Sequence, residues 1–403
     1  MTPNRSGQRL HVLVLSWNYP TPAAPQRGLW VRRMCDAVSA HADVKVIVPT
    51  PWVPPFLPFK SLSRFRRVPR RLVVDGVESH YPRVPGSIEY LTHGLDARLA
   101  RARVVALARR LHRERPFDLI HAHFIYPDGV LASLIGQELG VPVMTSEHAF
   151  WTPWLVDQAS VARQVAAALP HIRLVAPVSE FLRENVASYA QGRVATEVLP
   201  NVVDDAVFFP QPRERDPDEL LYVGLIRKFK RVDVLLRALA IVRRTHPRVK
   251  LRILSANAFR AYAQDRREIN DLIVSLGLQS AVKVVSGADP PAVAEAMRKC
   301  AFVVVSSTRR ETFCSVAAES LACGTPLVVT RCGGPEEFVT AADGVMVAPD
   351  DPQALADGIV EAMARRDSFD SRAITRRIVG RYGREAWGRT GIALYEKVAG
   401  RTP

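Results

Sequence analysis

Residues 303–338, VVVSSTRRETFCSVAAESLACGTPLVVTRCGGPEEF, contain the pattern around which the rest of the chain is organised. An apolar run over residues 301–305 is typical of a buried strand, and a short polar loop follows it. The pattern then predicts a helix whose first turn carries Glu311. We expect this helix to end at Gly324, because glycine suits a left-handed helix cap. A second buried strand is predicted over residues 327–330.

Two glutamates in this stretch, Glu311 and Glu319, are eight residues apart. On one continuous helix, this spacing places their carboxylates about 80° apart around the axis and roughly 12 Å apart along it. The pair would then contact two different parts of an extended, hydroxyl-rich ligand. The alternative for an arbitrary pair of this spacing is two solvated glutamates on a surface helix. After the second strand, we expect Gly333 and Gly334 to open another helix whose free backbone N–H groups suit a phosphate.

The order of these features resembles the signature of retaining glycosyltransferases of family 4. The matching elements are the buried strand, Glu-x-Phe at 311–313, Glu319, Ala-Cys-Gly-Thr-Pro at 322–326, the second strand, and Gly-Gly with a following Glu at 333–336. This resemblance implies the GT-B fold, an α/β architecture of two Rossmann-like, doubly wound parallel-sheet domains that face a central cleft. It also implies a nucleotide-sugar donor, and neither a cofactor nor a metal is expected.

The N-terminal half begins with a strand over residues 11–16, a loop that contains Asn18 and Gly28, a helix over residues 29–40 and a second strand. A right-handed crossover of this kind places the Gly28 loop at the carboxyl edge of a parallel sheet. His123 and His148 each follow a later strand, so they are expected at the same edge, where open α/β sheets bind ligands. No third metal ligand lies at suitable spacing from the histidines at 121 and 123, so we predict no metal site there.

The resemblance extends into this half of the chain. His-Ala-His-Phe at 121–124, Pro-Asp-Gly at 127–129 and Glu-His at 147–148 are similar to the N-terminal domain of family 4 enzymes. In that family the histidine matching His148 lies beside the donor sugar, and the N-terminal domain holds the acceptor. The resemblance therefore implies a catalytic role for His148 and an acceptor-side location for His123 and Asn18.

The length of 403 residues suggests two domains, because one hydrophobic core seldom grows beyond about 300 residues. We predict an acceptor domain over residues 1–205, a charged linker over 206–219 and a donor domain over 220–380. A C-terminal segment, residues 381–403, carries an aromatic-bearing helix that could cross back to the first domain.

Four basic residues lie between the first strand and first helix of the predicted second domain. They are Arg227, Lys228, Lys230 and Arg231. Cations at a strand exit and helix N-terminus can neutralise a diphosphate. The family pattern has arginine directly after Gly224 and lysine five positions later. Lys230 matches the lysine, but Leu225 occupies the arginine position, which leaves Arg227 as the second candidate cation.

Two further positions depart from the family pattern. Val202 replaces the glycine of an Asn-Gly-Val-Asp element, and Cys314 replaces a glycine after Phe313. Cys314 is kept as a candidate with the positions that match, and the resemblance implies roles for these residues. The catalytic candidates are His148, Glu311 and Lys230, and the donor-binding candidates are Gly28, Arg227, Lys230, Phe313, Cys314, Ser315, Glu319 and Gly334.

The resemblance also implies a mechanism. Glu311 would hold hydroxyls of the transferred sugar, and Glu319 would hold the ribose. The departing diphosphate would be stabilised by cations and backbone N–H groups without a metal. No second carboxylate is evident as a nucleophile, so we expect front-face transfer with retention, in which the donor phosphate helps to deprotonate the acceptor.

The formal net charge of +15 favours anionic partners such as sugar nucleotides or anionic lipid surfaces. No nucleic-acid-binding motif accompanies it, so we expect no nucleic acid partner. Residues 52–71 interleave aromatic and arginine side chains, which suggests either a proline-rich loop packed on its own domain or a segment that contacts an anionic membrane surface.

The five cysteines are odd in number and lack Cys-x-x-Cys spacing, which predicts free thiols in a reducing compartment. No targeting segment is visible, so we expect a cytoplasmic protein, with peripheral attachment to the inner face of the cytoplasmic membrane as an option. Three functional hypotheses remain open. The first is a glycosyltransferase in polysaccharide biosynthesis with a glycan or lipid-linked acceptor. The others are a sugar-nucleotide epimerase of similar architecture and a non-catalytic binding protein.

Overall fold

The computed structural model describes residues 8–53, 63–85, 94–150, 158–211, 214–255, 263–308 and 310–401. The chain divides into two compact units. The first consists of Met1–Val202 together with Arg384–Pro403, and the second is Val203–Gly383. The C-terminal helix therefore belongs to the first unit, and the segment predicted as a linker belongs to the second.

The elements of both units alternate along the chain. In the described residues the strands are β1 (Leu10–Leu15), β2 (Ala42–Ile47), β3 (Thr50–Pro51), β4 (Arg71–Val74), β5 (Val77–His80), β6 (Arg83–Val84), β7 (Leu119–His123), β8 (Val143–Glu147), β9 (Leu174–Pro177), β10 (Ala195–Thr196), β11 (Asp216–Val223), β12 (Lys250–Ser255), β13 (Val282–Ser286), β14 (Cys300–Val305), β15 (Leu327–Thr330) and β16 (Gly344–Val347). The helices are α1 (Leu29–Ser39), α2 (Asp96–Glu114), α3 (Val130–Leu139), α4 (Ala159–Ala168), α5 (Glu180–Ala190), α6 (Val232–Val242), α7 (Ala263–Ser275), α8 (Pro290–Lys299), α9 (Ser315–Ala322), α10 (Pro352–Ala364), α11 (Ser371–Tyr382) and α12 (Arg384–Ala399).

The first unit is built on an eight-stranded sheet in the order β10-β9-β8-β7-β1-β2-β5-β4. All neighbouring strands are parallel except β4 and β5, which form an antiparallel hairpin at one edge. Strand β1 is buried along its whole length, as its continuous apolar sequence predicts for the interior of a parallel sheet. Because β1 lies between β2 and β7, the connections leave it in opposite directions, and ligands of such sheets bind where this reversal occurs.

Helix α12 packs on α1 within the first unit. Trp387 and Tyr395 of α12 are buried in the same core as Met34 and Val38 of α1. The indole Nε1 of Trp387 donates a hydrogen bond to the carbonyl oxygen of Pro200, 2.5 Å away. The last helix of the chain therefore completes the core of the unit formed by its first residues.

The second unit is built on a six-stranded parallel sheet in the order β13-β12-β11-β14-β15-β16. Strands β14 and β15 are completely buried. Strand β11 starts at Asp216, inside the predicted linker, where its backbone pairs with Cys300 of β14. Asp216 also forms an ion pair with Lys250 of β12 at 2.6 Å. The reversal of strand order lies between β11 and β14, so the loops after these two strands are placed together.

The helix that was predicted to carry Glu311 in its first turn starts later, at Ser315. Glu311 lies outside α9, in an extended segment that pairs with Gly333. Its N–H donates to the carbonyl oxygen of Cys332, 2.9 Å away, and its own carbonyl oxygen accepts from the N–H of Gly334 at 2.8 Å. Cys314 then adopts a left-handed conformation with φ of 66°, which ends the extended segment and starts α9 at Ser315. The local sequence pattern predicts a helix that already includes Glu311, because it contains no information on this pairing with a distant residue.

Other predicted elements differ in detail. The expected helix after Gly333 is a short 3₁₀ turn, Gly334–Glu337. None of the helices in the described ranges is both long and apolar enough to cross a membrane.

Two glycines of the second unit provide a matched test of helix packing. At Gly358 of α10, an added methyl group would collide with Val347 Cγ1 of β16, whereas at Gly380 of α11 no atom lies within 4 Å of the added group. We expect Gly358→Ala to lower the free energy of unfolding by about 1–3 kcal/mol, because a packed core resists extra volume. Gly380→Ala should raise it by about 0.5–1 kcal/mol, because alanine loses less backbone entropy in a helix. Chemical denaturation measures both, and equal effects of the two variants would contradict this packing.

Candidate functional site

In the second unit, the loop after β11 is fastened to the loop after β14. The Ser306 hydroxyl donates to the carbonyl oxygen of Lys230 at 2.8 Å. The N–H of Thr308 donates to the carbonyl oxygen of Phe229, also at 2.8 Å. These bonds fix the backbone that carries Lys230 against the carboxyl end of β14, at the point where the strand order reverses.

Lys230 and Glu311 form a largely buried ion pair in this position. Lys230 Nζ lies 2.6 Å from Glu311 Oε1, and the Ser307 hydroxyl donates to the same oxygen. Burial disfavours the charged form of Lys230, but the attraction of Glu311 outweighs it, so the pKa of Lys230 is raised above its ordinary value. The lysine is therefore a cation at neutral pH, although only about a fifth of its side chain is exposed.

The prediction of free N–H groups at Gly333 and Gly334 is wrong in this structure. The N–H of Gly334 donates to the carbonyl oxygen of Glu311, and that of Gly333 donates to Glu336 Oε1 at 3.0 Å. Gly334 has a packing role instead, because a Cβ at this position would lie 2.6 Å from the carbonyl oxygen of Thr312. A glycine is needed here so that the two backbone segments can pair closely.

The four donor-binding candidates on or beside α9 have different environments. The ring of Phe313 is buried between Phe338 and Tyr382, with centroids 5.4 Å from each, so this side chain belongs to the core. Burial, with the charge of Glu311 nearby, raises the pKa of the Cys314 thiol well above its usual range, so it is a neutral thiol. Ser315 begins α9, and Glu319 lies one turn later and is buried.

The basic residues of the loop after β11 have different contacts. Arg231 forms ion pairs with Asp233 and Asp350. Arg227 is half-buried and lies three residues before Lys230, whose N–H donates to the Arg227 carbonyl oxygen at 2.9 Å. Leu225 occupies the position of the family arginine, and its carbonyl oxygen accepts from the hydroxyl of Tyr222 at 2.9 Å. Lys228 is exposed at the start of the short 3₁₀ turn Lys228–Lys230, and Lys230 forms the ion pair with Glu311.

In the first unit, the two predicted histidines are in contact. His123 ends β7 and His148 follows β8, and the distance from His123 Nδ1 to His148 Nε2 is 3.0 Å. The other nitrogen of His148, Nδ1, lies 3.1 Å from Oδ1 of Asn201. The sequence analysis identified both histidines from their place after neighbouring strands, but it assigned Asn201 no role in the site. Its place in the Asn-x-Val-Asp element was the signal available.

Burial determines the charge of these rings. It lowers the pKa of His148 to about 4 and that of His123 well below its ordinary value. Both rings are neutral at physiological pH and carry one proton each. Asn201 Oδ1 can only accept, so His148 carries its proton on Nδ1 and accepts on Nε2 from His123 Nδ1–H. The unprotonated nitrogen of His123 is therefore Nε2.

His121 is a third buried histidine, but its contacts are structural. Its Nε2 lies 2.8 Å from the Ser146 hydroxyl and its Nδ1 lies 2.8 Å from the hydroxyl of Tyr395 on α12. Burial lowers its pKa to about 3. Across the described residues, no group of three or more His, Cys, Asp or Glu side chains is arranged to hold a metal ion.

Asn18 and Gly28 lie together in the loop after β1. The Ser16 hydroxyl donates to the carbonyl oxygen of Asn18 at 3.0 Å, and Arg27 Nε donates to Asn18 Oδ1 at 3.2 Å. Gly28 caps α1 with a left-handed φ of 64°, and a Cβ there would collide with the Asn18 carbonyl. Only glycine therefore allows α1 to start beside Asn18.

Asp128 is a buried acid of this region that the sequence analysis did not select, although its Pro-Asp-Gly turn was visible. Its Oδ1 accepts a hydrogen bond from the N–H of Trp17 at 3.0 Å. Burial raises the pKa of this carboxyl group well above its usual range. Asp128 thus fixes the start of the loop that carries Asn18 and Gly28.

Two protein-family models match consecutive parts of the chain. The model of glycosyltransferase family 4 matches residues 31–207, and the model of glycosyl transferases group 1 matches residues 203–385. The D-inositol 3-phosphate glycosyltransferase of Kineococcus radiotolerans is 30% identical over 330 residues, which are 72% of this chain and 73% of the relative. Across five D-inositol 3-phosphate glycosyltransferases, the match spans between 61% and 73% of the relative's length.

Solved structures show the same fold at low sequence identity. Sucrose-phosphate synthase from Thermosynechococcus elongatus superposes with a TM-score of 0.76 at 19% identity and covers 97% of this chain and 99% of its own. Anabaena HepE in complex with UDP superposes with a TM-score of 0.70 at 17% identity, covering 96% of this chain and 100% of its own.

The proton positions in the histidine pair can be measured directly. Nitrogen-15 spectra of the histidine side chains, recorded between pH 6 and 8, should show His123 and His148 as neutral Nδ1–H tautomers. Asn201→Ala should change the tautomer populations of both rings, because it removes the acceptor that holds the His148 proton on Nδ1. Asn201→Asp should raise the pKa of His148, because a carboxylate favours the imidazolium. Ser146→Ala, which alters His121 instead, is the matched control, and Nε2–H tautomers in the wild type would contradict the arrangement.

Proposed function

The chain belongs to glycosyltransferase family 4, and from this membership we propose that it transfers a sugar from a nucleotide-sugar donor to a hydroxyl group of a glycan or lipid-linked acceptor, with retention and without a metal. Its two parallel-sheet α/β units have the GT-B fold. The observation that supports the proposal most directly is the largely buried Lys230–Glu311 ion pair at the carboxyl edge of the second sheet.

The ion pair suits a diphosphate leaving group for an electrostatic reason. A cation held in a partly water-excluded site stabilises developing negative charge more strongly than it would in water. Lys230 is charged and fixed by its backbone, so it needs little reorganisation when the sugar–phosphate bond breaks. We propose that the donor diphosphate binds Lys230 and Arg227, while the Glu311 carboxylate accepts hydrogen bonds from hydroxyls of the transferred sugar.

Helix α9 supplies the other donor contacts in this proposal. The N-cap residue Cys314 forms no side-chain capping hydrogen bond at the start of α9, and the positive end of a helix favours a phosphate. Glu319 lies on the same face as Ser315, one turn further along. We assign Glu319 to the ribose hydroxyls. Phe313 contributes through packing, because its ring is enclosed by Phe338 and Tyr382.

The first unit supplies neutral hydrogen-bonding groups in this proposal. His148 is uncharged and oriented by Asn201, so it can contact a sugar hydroxyl without placing a second positive charge beside the donor. His123 and Asn18 are assigned to the acceptor side. With no nucleophilic carboxylate assigned, the departing phosphate oxygen takes the proton from the acceptor hydroxyl, and the new glycosidic bond forms on the face that the phosphate leaves.

The comparisons suggest which compounds to examine first. UDP is bound to the structurally similar HepE, which favours a UDP-sugar over a GDP-sugar as the donor. The inositol phosphate glycosyltransferases suggest a phosphorylated polyol as an alternative to a glycan or lipid-linked acceptor. If the protein acts in bacterial polysaccharide biosynthesis, as we propose, its acceptor is a glycan.

Nucleotide binding tests the donor site. Of UDP, GDP and ADP, we expect one, with UDP favoured, to raise the melting temperature of the wild type, because a ligand at about 100 times its dissociation constant adds roughly 2.7 kcal/mol of stability. Glu319→Ala should abolish most of this shift. Glu361→Ala, an exposed glutamate on α10 in the same unit, is the matched control and should keep it. No shift with any nucleotide would contradict the donor site and favour a non-catalytic binding protein.

Product analysis then distinguishes transfer from the alternatives. We expect an anomeric signal of the same configuration as the donor, and a rate unchanged by a chelator. Donor conversion that needs no acceptor would instead identify an epimerase or hydrolase. An inverted product would contradict the retaining mechanism while leaving the glycosyltransferase assignment intact.

We further propose that the protein works at the inner face of the cytoplasmic membrane, through part of residues 52–71. Trp52 is half-exposed, and five arginines in this region are exposed. They are Arg64, Arg66, Arg67, Arg70 and Arg71. Each can contribute about 1 kcal/mol at an anionic surface. Phe65 is one of the aromatic residues that were expected to contact the membrane in this hypothesis. Its ring is buried in the core of the first unit, so it cannot enter a lipid headgroup region. Residues 54–62 lie outside the described part of the chain.

Vesicle binding tests this surface. Arg64→Glu/Arg67→Glu should weaken binding to phosphatidylglycerol vesicles by at least about tenfold, because two favourable charges are reversed. Arg237→Glu/Arg244→Glu changes the net charge equally on exposed positions of the second unit and should have a smaller effect. Equal losses in a sedimentation assay would show that the net charge of the chain, and not this segment, determines binding.

A further inference from the structure

A cavity of about 190 Å³ lies in the first unit between helices α2, α3 and α4. Its apolar wall consists of Ala97 from α2, Val130 and Leu134 from α3, and Ala167 and Ala168 from α4. Since a water molecule takes about 30 Å³ of the liquid, the cavity has room for roughly six groups of that size. The cavity opens to the surface, because Ala167 is exposed.

The uncharged polar side chains of the lining are held by the fold. The Ser133 hydroxyl donates to the carbonyl oxygen of Val130 at 2.8 Å. Gln137 Nε2 donates to the carbonyl oxygen of Ser133 at 3.2 Å, and Gln164 Nε2 donates to that of Gly94 at 2.8 Å. These bonds are made within the unit, so the surface that the cavity offers to a ligand is mainly apolar.

Two arginines of α2, Arg98 and Arg101, complete the lining. They are one helical turn apart, and both are exposed. Among the residues that the structure describes, neither guanidinium group has an ion-pair or hydrogen-bond partner. No described acidic side chain lines the cavity with them. Two neighbouring guanidinium groups suit a phosphate, because each presents a planar fork of N–H donors to its oxygens.

The surface on the other side of the two arginines is also apolar. Leu95 immediately precedes α2 and is 45% exposed, and Leu99, one turn later, is 37% exposed. At about 100° per residue, the exposed side of α2 shows Arg101, then Arg98, then the two leucines. The cations therefore lie between an apolar cavity and an exposed apolar surface. This arrangement is typical of surfaces that contact amphiphilic molecules.

We propose that the cavity binds the apolar chain of an anionic amphiphile, whose phosphate group is held by Arg98 and Arg101. Apolar lining selects the chain, and the two unpaired cations at its rim select a negative headgroup. Two sources supply this chemistry: a phospholipid of an anionic membrane, and a lipid-linked acceptor. The second source rests on the proposed function, whereas the site itself needs neither a donor nor transfer.

Alkyl phosphates at concentrations below micelle formation test the site. By titration calorimetry, we expect the affinity to rise from hexyl to octyl phosphate by about fourfold for each buried methylene, and to level off once the cavity is full. Decyltrimethylammonium, a chain of equal length with the opposite charge, should bind at least about tenfold more weakly than decyl phosphate. Absence of decyl phosphate binding, or equal affinity for the two decyl compounds, would overturn the proposal.

Filling the cavity locates the binding. Ala167→Leu adds an apolar side chain at an exposed position of the lining, and it should weaken decyl phosphate binding at least about tenfold, because it takes the volume of several buried methylenes. Ala166→Leu, at the next exposed position of α4 and outside the lining, is the matched control and should bind as the wild type does. Equal effects of the two variants would place the binding elsewhere and overturn the site.

Charge removal tests the headgroup contact. Arg98→Gln/Arg101→Gln should weaken decyl phosphate binding by about tenfold or more and leave the binding of decanol unchanged. Arg110→Gln/Arg113→Gln removes the same charge from exposed positions of the same helix and is the control. Equal losses in the two double variants would show that the net charge of α2, and not a site at the cavity, attracts the phosphate.

Phosphatidylglycerol vesicles distinguish the two sources. A loss of sedimentation with vesicles in Ala167→Leu, but not in Ala166→Leu, would identify a membrane phospholipid as the ligand. Vesicle binding that is the same in both variants, combined with loss of decyl phosphate binding in Ala167→Leu, would identify a single-chain amphiphile such as a lipid-linked acceptor. Because neither measurement includes a nucleotide, failure of the donor site would leave this result unchanged.

Discussion

The ion pair between Lys230 and Glu311 is the interaction on which the second unit's candidate site depends. Two largely buried charges persist only where geometry and hydrogen bonds compensate for lost hydration. Here the 2.6 Å contact, the Ser307 hydroxyl and the backbone bonds from Ser306 and Thr308 provide that compensation. The same contacts hold the loops after β11 and β14 together. Removing either charge would leave the other buried without a partner, so this part of the structure is more constrained than an ordinary surface loop.

The two units present different chemistry at the carboxyl edges of their sheets. The second unit presents fixed charge, whereas the first presents neutral imidazole rings, because burial lowers the pKa of His123 and His148. Burial likewise raises the pKa of the Asp128 carboxyl group. Hydrogen bonds rather than charges orient these groups.

The departures from the family pattern have separate physical explanations. Val202 is buried in the first unit's core and has no left-handed backbone, so the chain does not need glycine there. Cys314 does adopt the left-handed conformation, at φ of 66°, which costs a residue with a side chain about 1–2 kcal/mol. Its thiol is buried beside Glu311. Leu225 lacks the charge of the family's arginine, and Arg227 is the residue that we propose in its place beside Lys230.

The sequence by itself determined the alternation of strands and helices, because buried parallel strands such as β1, β14 and β15 are continuous apolar runs of local origin. It also placed His123 and His148 at one sheet edge, since each follows a neighbouring strand. Tertiary structure decided the rest. Glu311 lies outside the helix because it pairs with Gly333, about twenty residues later. In the same pairing, the N–H of Gly334 donates to the carbonyl oxygen of Glu311. Asn201 reaches His148 across 53 residues. Local pattern cannot report such contacts, because their energy arises only when distant segments of the chain are folded against each other.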